Sequence, residues 1–228
     1  MVEPKRTLAG VDELEAFKKI SATLYAGAIS DIMDEMGFRH QAIDPTLGIR
    51  ALHPSMVAIG RALTFQNGLS TRMDEPYEKA IEGLDSMQPG QLTIAGGYAP
   101  VEGIMGELSA TAIRKRGGVG AVVNGFTRDG RKLLDMKFPV FAKGISPIDT
   151  TGRIRVVDYN VPLQFGHIAI KPGQIVFADY DGILVIPTEA EDEIIAKALE
   201  RAEVETKVRE ALAAGESMDT VWKRYHVL

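Results

Sequence analysis

The spacing of apolar positions changes twice along this chain. Between Ser21 and Met36, the residues Tyr25, Ile29, Ile32, Met33 and Met36 recur at three- and four-residue steps, and Gly37 follows as a stop, which predicts a helix. Val11 to Ile20 reads as a second, shorter helix before it, and the two form an N-terminal helical appendage over residues 1–37. Beyond Pro45, Gly48 and Pro54 the spacing becomes compact apolar runs. Val57 to Phe65 predicts a strand broken by Gly60. Leu92 to Ala95 predicts a second, opened by the turn Gln88-Pro89-Gly90-Gln91 and ended by Gly96-Gly97. Val119 to Asn124 and Pro139 to Ala142 predict two more. Helical stretches separate them: Pro76 to Leu84, Met105 to Arg116 with Met105, Leu108, Ala112 and Ile113 on its apolar face, and Asp129 to Met136. Strands alternating with helices favour parallel pairing through helical crossovers.

From Gly152 onward short β runs follow closely: Arg153 to Asp158, His167 to Ile170, Ile175 to Ala178 and Ile183 to Ile186. Asp181-Gly182, between the last two, is a strong hairpin pair. Glu189 to Ala213 is a long charged helix, and residues 189–228 form a C-terminal helical extension ending in a short tail with the only Trp. Pro89-Gly90-Gln91-Leu92 and Pro172-Gly173-Gln174-Ile175 each open a strand with Pro-Gly at the centre of a type II turn, which is repeated turn chemistry.

Composition narrows the classes. The 228 residues, 45% hydrophobic, suffice for one domain with appendages, so residues 1–228 are expected to form a single domain. A net charge of −5 gives no electrostatic reason to bind nucleic acid. The one tight basic cluster, Arg114-Lys115-Arg116, sits at a predicted helix end, where it complements the helix dipole. The absence of cysteine removes disulfides, thiolate nucleophiles and Cys-based metal sites. Met1 to Val11 has no apolar segment of the signal-peptide kind, and no run approaches the ~20 apolar residues of a membrane span. The expectation is a soluble cytoplasmic protein with no nucleic-acid or membrane partner.

Candidate chemistry concentrates in Asn124-Gly125-Phe126-Thr127-Arg128-Asp129-Gly130, where the chain leaves a predicted buried strand. Arg128 is a permanent cation whose fork of donors suits a carboxylate or an enolate oxygen. Asp129 is a hard oxygen ligand suited to Mg²⁺ or Mn²⁺. The pair suits a metal and a small oxoacid, and it equally suits an ion-paired surface turn. A second segment, Gly103-Ile104-Met105-Gly106-Glu107-Leu108-Ser109, lies at a predicted helix start, where unpaired amides and the dipole favour anions. Gly106 lets a ligand approach the backbone, while Glu107 also reads as an acid that complements the dipole. If this helix returns to a parallel strand, its start lies beside Arg128 and Asp129, at the strand ends where open α/β sheets bind ligands.

Other motifs carry less. Gly117-Gly118-Val119-Gly120 leaves a helix and enters a strand, the reverse of a dinucleotide-binding loop, so it reads as a helix stop. His40, His53, His167 and His226 are scattered and form no zinc-binding spacing. Ser109 and Ser146 lack a nucleophile-elbow context.

The run from Gly106 to Ala112, then Gly117 to Val123, Gly125, Arg128-Asp129 and Phe138 to Gly144, resembles the RraA-like family, which includes class II 4-hydroxy-4-methyl-2-oxoglutarate / 4-carboxy-4-hydroxy-2-oxoadipate aldolases and the regulator of ribonuclease E activity A. Ser30-Asp31, Asp149 with Gly152-Arg153, Pro172-Gly173 and Ala178 to Gly182 fit its longer bacterial members, so the resemblance spans nearly the whole chain. It implies an α/β fold like the swivelling β/β/α sandwich of phosphohistidine domains, assembled as a homotrimer or dimer of trimers with sites between subunits.

By position it implies Asp129 on a divalent metal and Arg128 on the pyruvyl part of the substrate. It also implies that Gly106, Glu107, Leu108 and Ser109 form the carboxylate-binding loop, with Glu107 near the metal's water shell. The implied activity is retro-aldol cleavage of a 4-hydroxy-2-oxo acid to pyruvate and a second oxoacid, with oxaloacetate decarboxylation as a side activity. A Schiff-base route would need a buried Lys, and Lys132 and Lys143 lie outside apolar runs. The family's aldolases often carry an acid at the position of Lys132. The regulator lacks the metal-binding Asp that this chain has at Asp129. A non-catalytic regulator of an RNA-degrading enzyme, or a metal enzyme acting on another sugar acid or oxoacid, are the alternatives. Glu203 and Glu205, on the C-terminal helix, could reach a neighbour's site or form a solvated face.

Overall fold

The computed structural model describes residues 13–227. The predicted helix start at Val11 and the stretch before it lie outside the described residues. In chain order the elements are α1 (Glu13–Thr23), α2 (Ala26–Glu35), a 3-10 turn (Pro45–Leu47), β1 (Arg50–Ala51), β2 (Ala58–Leu69), α3 (Glu78–Asp85), β3 (Gln91–Gly97), β4 (Gly103–Met105), α4 (Glu107–Lys115), β5 (Gly120–Thr127), α5 (Gly130–Asp135), β6 (Val140–Ile145), β7 (Ile154–Tyr159), β8 (Leu163–Phe165), β9 (Ile168–Ile170), β10 (Ile175–Ala178), β11 (Ile183–Val185), α6 (Glu191–Ala213) and α7 (Met218–Tyr225).

One sheet runs β1-β6-β5-β3-β2-β10-β11, with β4 beside β5 and β7 beside β2. β2, β3, β5 and β6 are parallel neighbours, as the strand–helix alternation predicts. β10 and β11 form the antiparallel hairpin expected around Asp181-Gly182. Both faces of the parallel strands are buried, and alternate residues serve different cores. Leu92, Ile94 and Val122 pack with Leu163, Phe165, Ile168 and Ile170 of the separate two-stranded sheet β8-β9. Ala95, Ala121 and Val123 pack under α4 and α5 with Ile113 and Leu133. At the hairpin edge, α1, α2 and α6 bury Phe17, Ile29, Met33 and Ile194 against Phe177 and Leu184.

Several boundaries differ from the sequence expectation. Gly60 does not break its strand: β2 runs unbroken through 12 residues. The glycine is there for space, since a Cβ would stand 2.6 Å from the Gly90 carbonyl oxygen. The two N-terminal helices meet later than predicted, at Leu24-Tyr25, and Ala26 opens α2. Met105 ends the short strand β4, so α4 opens at Glu107. β5 continues through Thr127, which places Asn124 to Thr127 inside the strand and Arg128 immediately after it. β4, β1, β8 and the terminal helix α7 were not anticipated; β4 is three residues long. β1, β8 and α7 are two, three and eight residues long, and in all four the apolar spacing is too brief to read.

Candidate functional site

The site begins with how two parallel strands end. β4 and β5 are paired, with Gly103 opposite Phe126 and Met105 opposite Thr127. The Arg128 amide continues this pairing by donating to the Met105 carbonyl at 2.8 Å, and the Thr127 hydroxyl donates to the same oxygen at 2.7 Å. The chain after β4 therefore enters α4 beside the chain after β5, which enters α5. Two short connections face each other at the C-terminal end of the sheet.

Asp129 stands at the start of α5 in the left-handed conformation, with φ 56° and ψ 33°. That region is uncommon for a residue with a side chain, although Asp tolerates it. Its carboxylate does not cap its own helix. It reaches across to α4, where Oδ2 accepts the Glu107 amide at 3.2 Å. Gly106 makes this approach possible, because a Cβ there would lie 2.5 Å from Asp129 Oδ2 and 2.8 Å from Arg128 Cγ. The gap leaves a concave, backbone-lined corner with the positive end of α4 on one side and a carboxylate on the other.

The Arg128 guanidinium is anchored from a direction the sequence reading did not assign. Its Nη1 donates to Asp149 Oδ1 at 3.0 Å, while Nε lies 4.0 Å from Asp129 Oδ2. Asp149 also receives the Tyr77 hydroxyl at 3.1 Å on each oxygen and the Thr151 amide at 3.3 Å. Partial burial works against the Asp149 anion, but hydrogen bonds from Thr151 and Tyr77 outweigh it and hold the carboxyl below the ordinary Asp range. Asp149 thus stays charged at neutral pH and ties Arg128 to Tyr77, just before α3 on the opposite wall. The signal available in the sequence was the Asp149 to Arg153 segment, which carried a resemblance but no role.

These groups open onto a cavity of about 520 Å³. Gly106, Leu108, Ser109, Arg128, Asp129 and Asp149 line it, with Tyr77, Ile81 and Leu84 forming the α3 wall and Arg155 a second cation. Arg155 donates to the Glu75 carbonyl at 3.1 Å and pairs with Glu78 at 3.4 Å. Glu107 lies beside the cavity without lining it. Its carboxylate accepts the Thr111 hydroxyl at 3.3 Å and pairs with Lys132 at 3.5 Å. Lys132 and Lys143 are both exposed and absent from the lining.

The four histidines are exposed and also outside the cavity; His167 Nε2 lies 3.1 Å from the His40 carbonyl oxygen. Ser146 is buried, and its hydroxyl accepts the Ile148 amide at 3.3 Å. Glu205 is engaged within its own chain, 3.5 Å from Arg201 Nε and accepting the Tyr25 hydroxyl, whereas Glu203 is exposed. Among the described residues no group of three or more His, Cys, Asp or Glu side chains gathers as a metal cluster, and no helix is long and apolar enough to cross a membrane.

Comparison with known proteins places this arrangement in context. The RraA-like family model, described as Aldolase/RraA, matches residues 26–185, from the first residue of α2 to the end of β11. Protein DlpA of Legionella pneumophila is 25% identical over 97% of this chain, and the chain spans 36% of that relative's length. A protein of Ectopseudomonas mendocina named "Putative 4-hydroxy-4-methyl-2-oxoglutarate aldolase" is 34% identical over 61% of this chain and 86% of its own. Among solved structures, Streptomyces coelicolor RraAS2, described as an unusual member of the RNase ES inhibitor RraA protein family, aligns with a TM-score of 0.74 at 23% identity over 86% of this chain and 97% of its own. That last likeness is one of fold.

Proposed function

The chain belongs to the RraA-like family, and from that premise we propose that it is a divalent-metal-dependent lyase cleaving a 4-hydroxy-2-oxo acid, such as 4-hydroxy-4-methyl-2-oxoglutarate, to pyruvate and a second oxoacid. The observation that carries this reading is the convergence of Arg128, Asp129 and the N-terminus of α4 on one cavity corner that Gly106 keeps open.

The corner suits Mg²⁺ or Mn²⁺. Mg²⁺ keeps several waters and uses one or two carboxylates, and the Asp129 side chain, 35% exposed at the cavity, offers one carboxylate with room for a hydrated ion. The metal's contribution would be Lewis-acid polarisation of the 2-oxo group. The remaining chemistry belongs to the chain. The amides of Leu108 and Ser109, which follow the Asp129-bonded amide of Glu107 at the start of α4, bind the substrate carboxylate without any side-chain charge. Arg128, fixed by Asp149, faces the oxygen on which enolate charge develops, where a preorganised cation is most effective. Asp129 orients the corner through its bond to the Glu107 amide. Glu107, paired with Lys132, acts on the edge of the site by setting its charge. The same enolate stabilisation supports decarboxylation of oxaloacetate. Exposed apolar side chains beside the cavity, Ile81 and Leu108, are suited to cover by a neighbouring subunit, in keeping with a homotrimer or dimer of trimers.

The test is pyruvate release from 4-hydroxy-4-methyl-2-oxoglutarate before and after EDTA. Activity abolished by chelation and restored by Mg²⁺ or Mn²⁺ is expected, whereas turnover indifferent to EDTA removes the metal-dependent mechanism. No turnover with any 4-hydroxy-2-oxo acid, together with a stable complex with an RNA-degrading enzyme, establishes the regulatory alternative instead.

A further inference from the structure

The cavity holds a second cation that the reaction described above does not use. Arg155 lines it from β7, while Arg128 and the α4 amides stand where β5 and β4 end. The Arg155 side chain is only 12% exposed. Its Nη2 donates to the Glu75 carbonyl at 3.1 Å and to Glu78 Oε2 at 3.4 Å. Among the described residues, its Nε and Nη1 have no hydrogen-bond or ion-pair partner, and neither nitrogen is sealed from solvent.

Two other arginines show how this chain ordinarily covers a guanidinium. Arg61 is also 12% exposed, and it meets Glu13 at 2.7 Å, Glu191 at 2.9 Å and the Gly173 carbonyl at 3.1 Å, with every nitrogen engaged. Arg201, 16% exposed, faces Asp31, Glu35 and Glu205. Arg155 has Glu78 alone, at a long distance and half exposed. Asp74 feels Arg155 through space, but it is exposed and pairs with Arg72. A charge taken largely out of water needs close acceptors to offset the hydration it loses. Arg155 is short of one carboxylate, and it borders the cavity that receives the substrate.

We propose that Arg155 is the specificity-determining residue for the distal end of the substrate, where its free Nη1 takes a second carboxylate. This rests on the oxoacid reading of the cavity and names the contact that its distal group makes. The pyruvyl end lies at Arg128 and the Leu108 and Ser109 amides. The cavity, about 520 Å³, is far roomier than a three-carbon oxoacid requires and admits a five-carbon diacid. A charge-assisted bond to a poorly hydrated Arg discriminates against an analogue with no charge at that end. The favoured substrates are therefore dicarboxylates such as 4-hydroxy-4-methyl-2-oxoglutarate. Cleavage leaves the distal carboxylate on the second product, which is itself an oxoacid. Glu78 competes for the same guanidinium and moderates the preference.

The test uses ligands that cannot undergo retro-aldol cleavage because they lack a 4-hydroxyl. Titration calorimetry with Mg²⁺ present compares pyruvate, 2-oxoglutarate and 2-oxopentanoate, the last having the same chain length without the distal carboxylate. The proteins are the wild type, Arg155→Met, Arg155→Lys and Glu78→Gln. The wild type should bind 2-oxoglutarate about tenfold more tightly than 2-oxopentanoate. Arg155→Met keeps an apolar stem and should bring that ratio within about threefold by weakening 2-oxoglutarate alone. Arg155→Lys, a point charge, should retain part of the preference. Glu78→Gln leaves Arg155 in place and should tighten 2-oxoglutarate severalfold with pyruvate unchanged. A wild type that binds 2-oxopentanoate as tightly as 2-oxoglutarate overturns the proposal and, if pyruvate binds, leaves the oxoacid reading intact. So does an Arg155→Met protein that weakens all three ligands equally while Glu78→Gln gains nothing, since Arg155 is then only a tie between β7 and α3. Failure of pyruvate itself to bind removes the oxoacid reading of the cavity, and the role of Arg155 with it.

Discussion

Two aspartates in this molecule occupy almost the same local setting and have opposite fates. Asp179 follows β10, and its Oδ2 accepts the amide of Ala26, the first residue of α2, at 2.7 Å. Asp129 follows β5, and its Oδ2 accepts the amide of Glu107, the first residue of α4, at 3.2 Å. Both stand at a strand end and both meet the positive end of a helix from another segment. The difference is what remains free. The other oxygen of Asp179 takes the amides of Asp181 and Gly182 at 2.9 and 3.3 Å, and the residue is 7% exposed. Asp129 stands open on a cavity beside a cation. A carboxylate whose lone pairs are taken by backbone amides is a structural fastener, while one that keeps free lone pairs at a cavity can hold a ligand. Asp179 and Asp129 each follow the end of an apolar strand in the sequence; the accounting of hydrogen bonds separates them.

Removing each carboxylate in turn separates the two roles. Asp129→Ala and Arg128→Ala should each lower kcat/KM for pyruvate release by about 10³-fold, since each removes a preorganised charge from the place where negative charge develops. The melting temperature should move little, because both side chains are partly exposed. Asp179→Ala should do the reverse. It leaves the Ala26, Asp181 and Gly182 amides without their acceptor beneath α2, and unfolding by urea should show a loss of about 2–3 kcal/mol. Activity per folded molecule should persist. If Asp179→Ala instead abolishes turnover in a fully folded protein, the division into fastener and ligand holder is wrong.

A smaller effect is expected at Asp149, which falls between the two types. It is bonded by Tyr77 and Thr151 like a fastener, yet it lines the cavity and holds Arg128. Asp149→Asn keeps the shape but removes the charge, and should lower kcat/KM about tenfold by loosening Arg128. The pH dependence has a definite sign. The folded-state carboxyl titrates below the ordinary value of 3.8, so its contribution is complete above the ordinary carboxylate range and fades as pH falls through the lowered value. The ratio of wild-type to Asp149→Asn kcat/KM should therefore be flat from about pH 5 upward. A ratio that changes near neutrality would assign Asp149 a proton-transfer role instead of a positioning one.

Much of this could be read from the sequence, for reasons specific to each element. The parallel core was legible because Leu92 to Ala95 and Val119 to Asn124 are apolar runs buried on both faces, with helical spacing between them. The hairpin was legible from Asp181-Gly182. The site corner was legible in part, since Gly106-Glu107 and Arg128-Asp129 each had a local signature and the strand–helix order could bring them together. Other contributors had no local signal. Asp149 and Tyr77 are 72 residues apart and meet only because β7 lies along β2 and packs against α3. Gly60 failed for the opposite reason: a glycine in an apolar run looks like a break, and only the nearby Gly90 carbonyl shows that it is a close contact.

The smallest expected effect concerns Lys132, where the family's aldolases often carry an acid. Lys132 is largely exposed, outside the cavity lining, and 3.5 Å from the carboxylate of Glu107, which is also outside the lining. An exposed pair of this kind contributes roughly 0–1 kcal/mol, so Lys132→Ala should leave kcat/KM within about threefold of the wild type and barely change the melting temperature. Lys132→Glu is more informative, because it places two carboxylates together in the first turns of α4 and α5. Repulsion should swing Glu107 toward the cavity and Asp129, and the affinity for Mg²⁺, read by titration calorimetry, should rise severalfold. An unchanged Mg²⁺ affinity in a folded Lys132→Glu protein would mean that Glu107 is held by the α4 backbone and the Thr111 hydroxyl, not by the lysine. The substitution would then be a surface difference with no bearing on the contrast between Asp129 and Asp179.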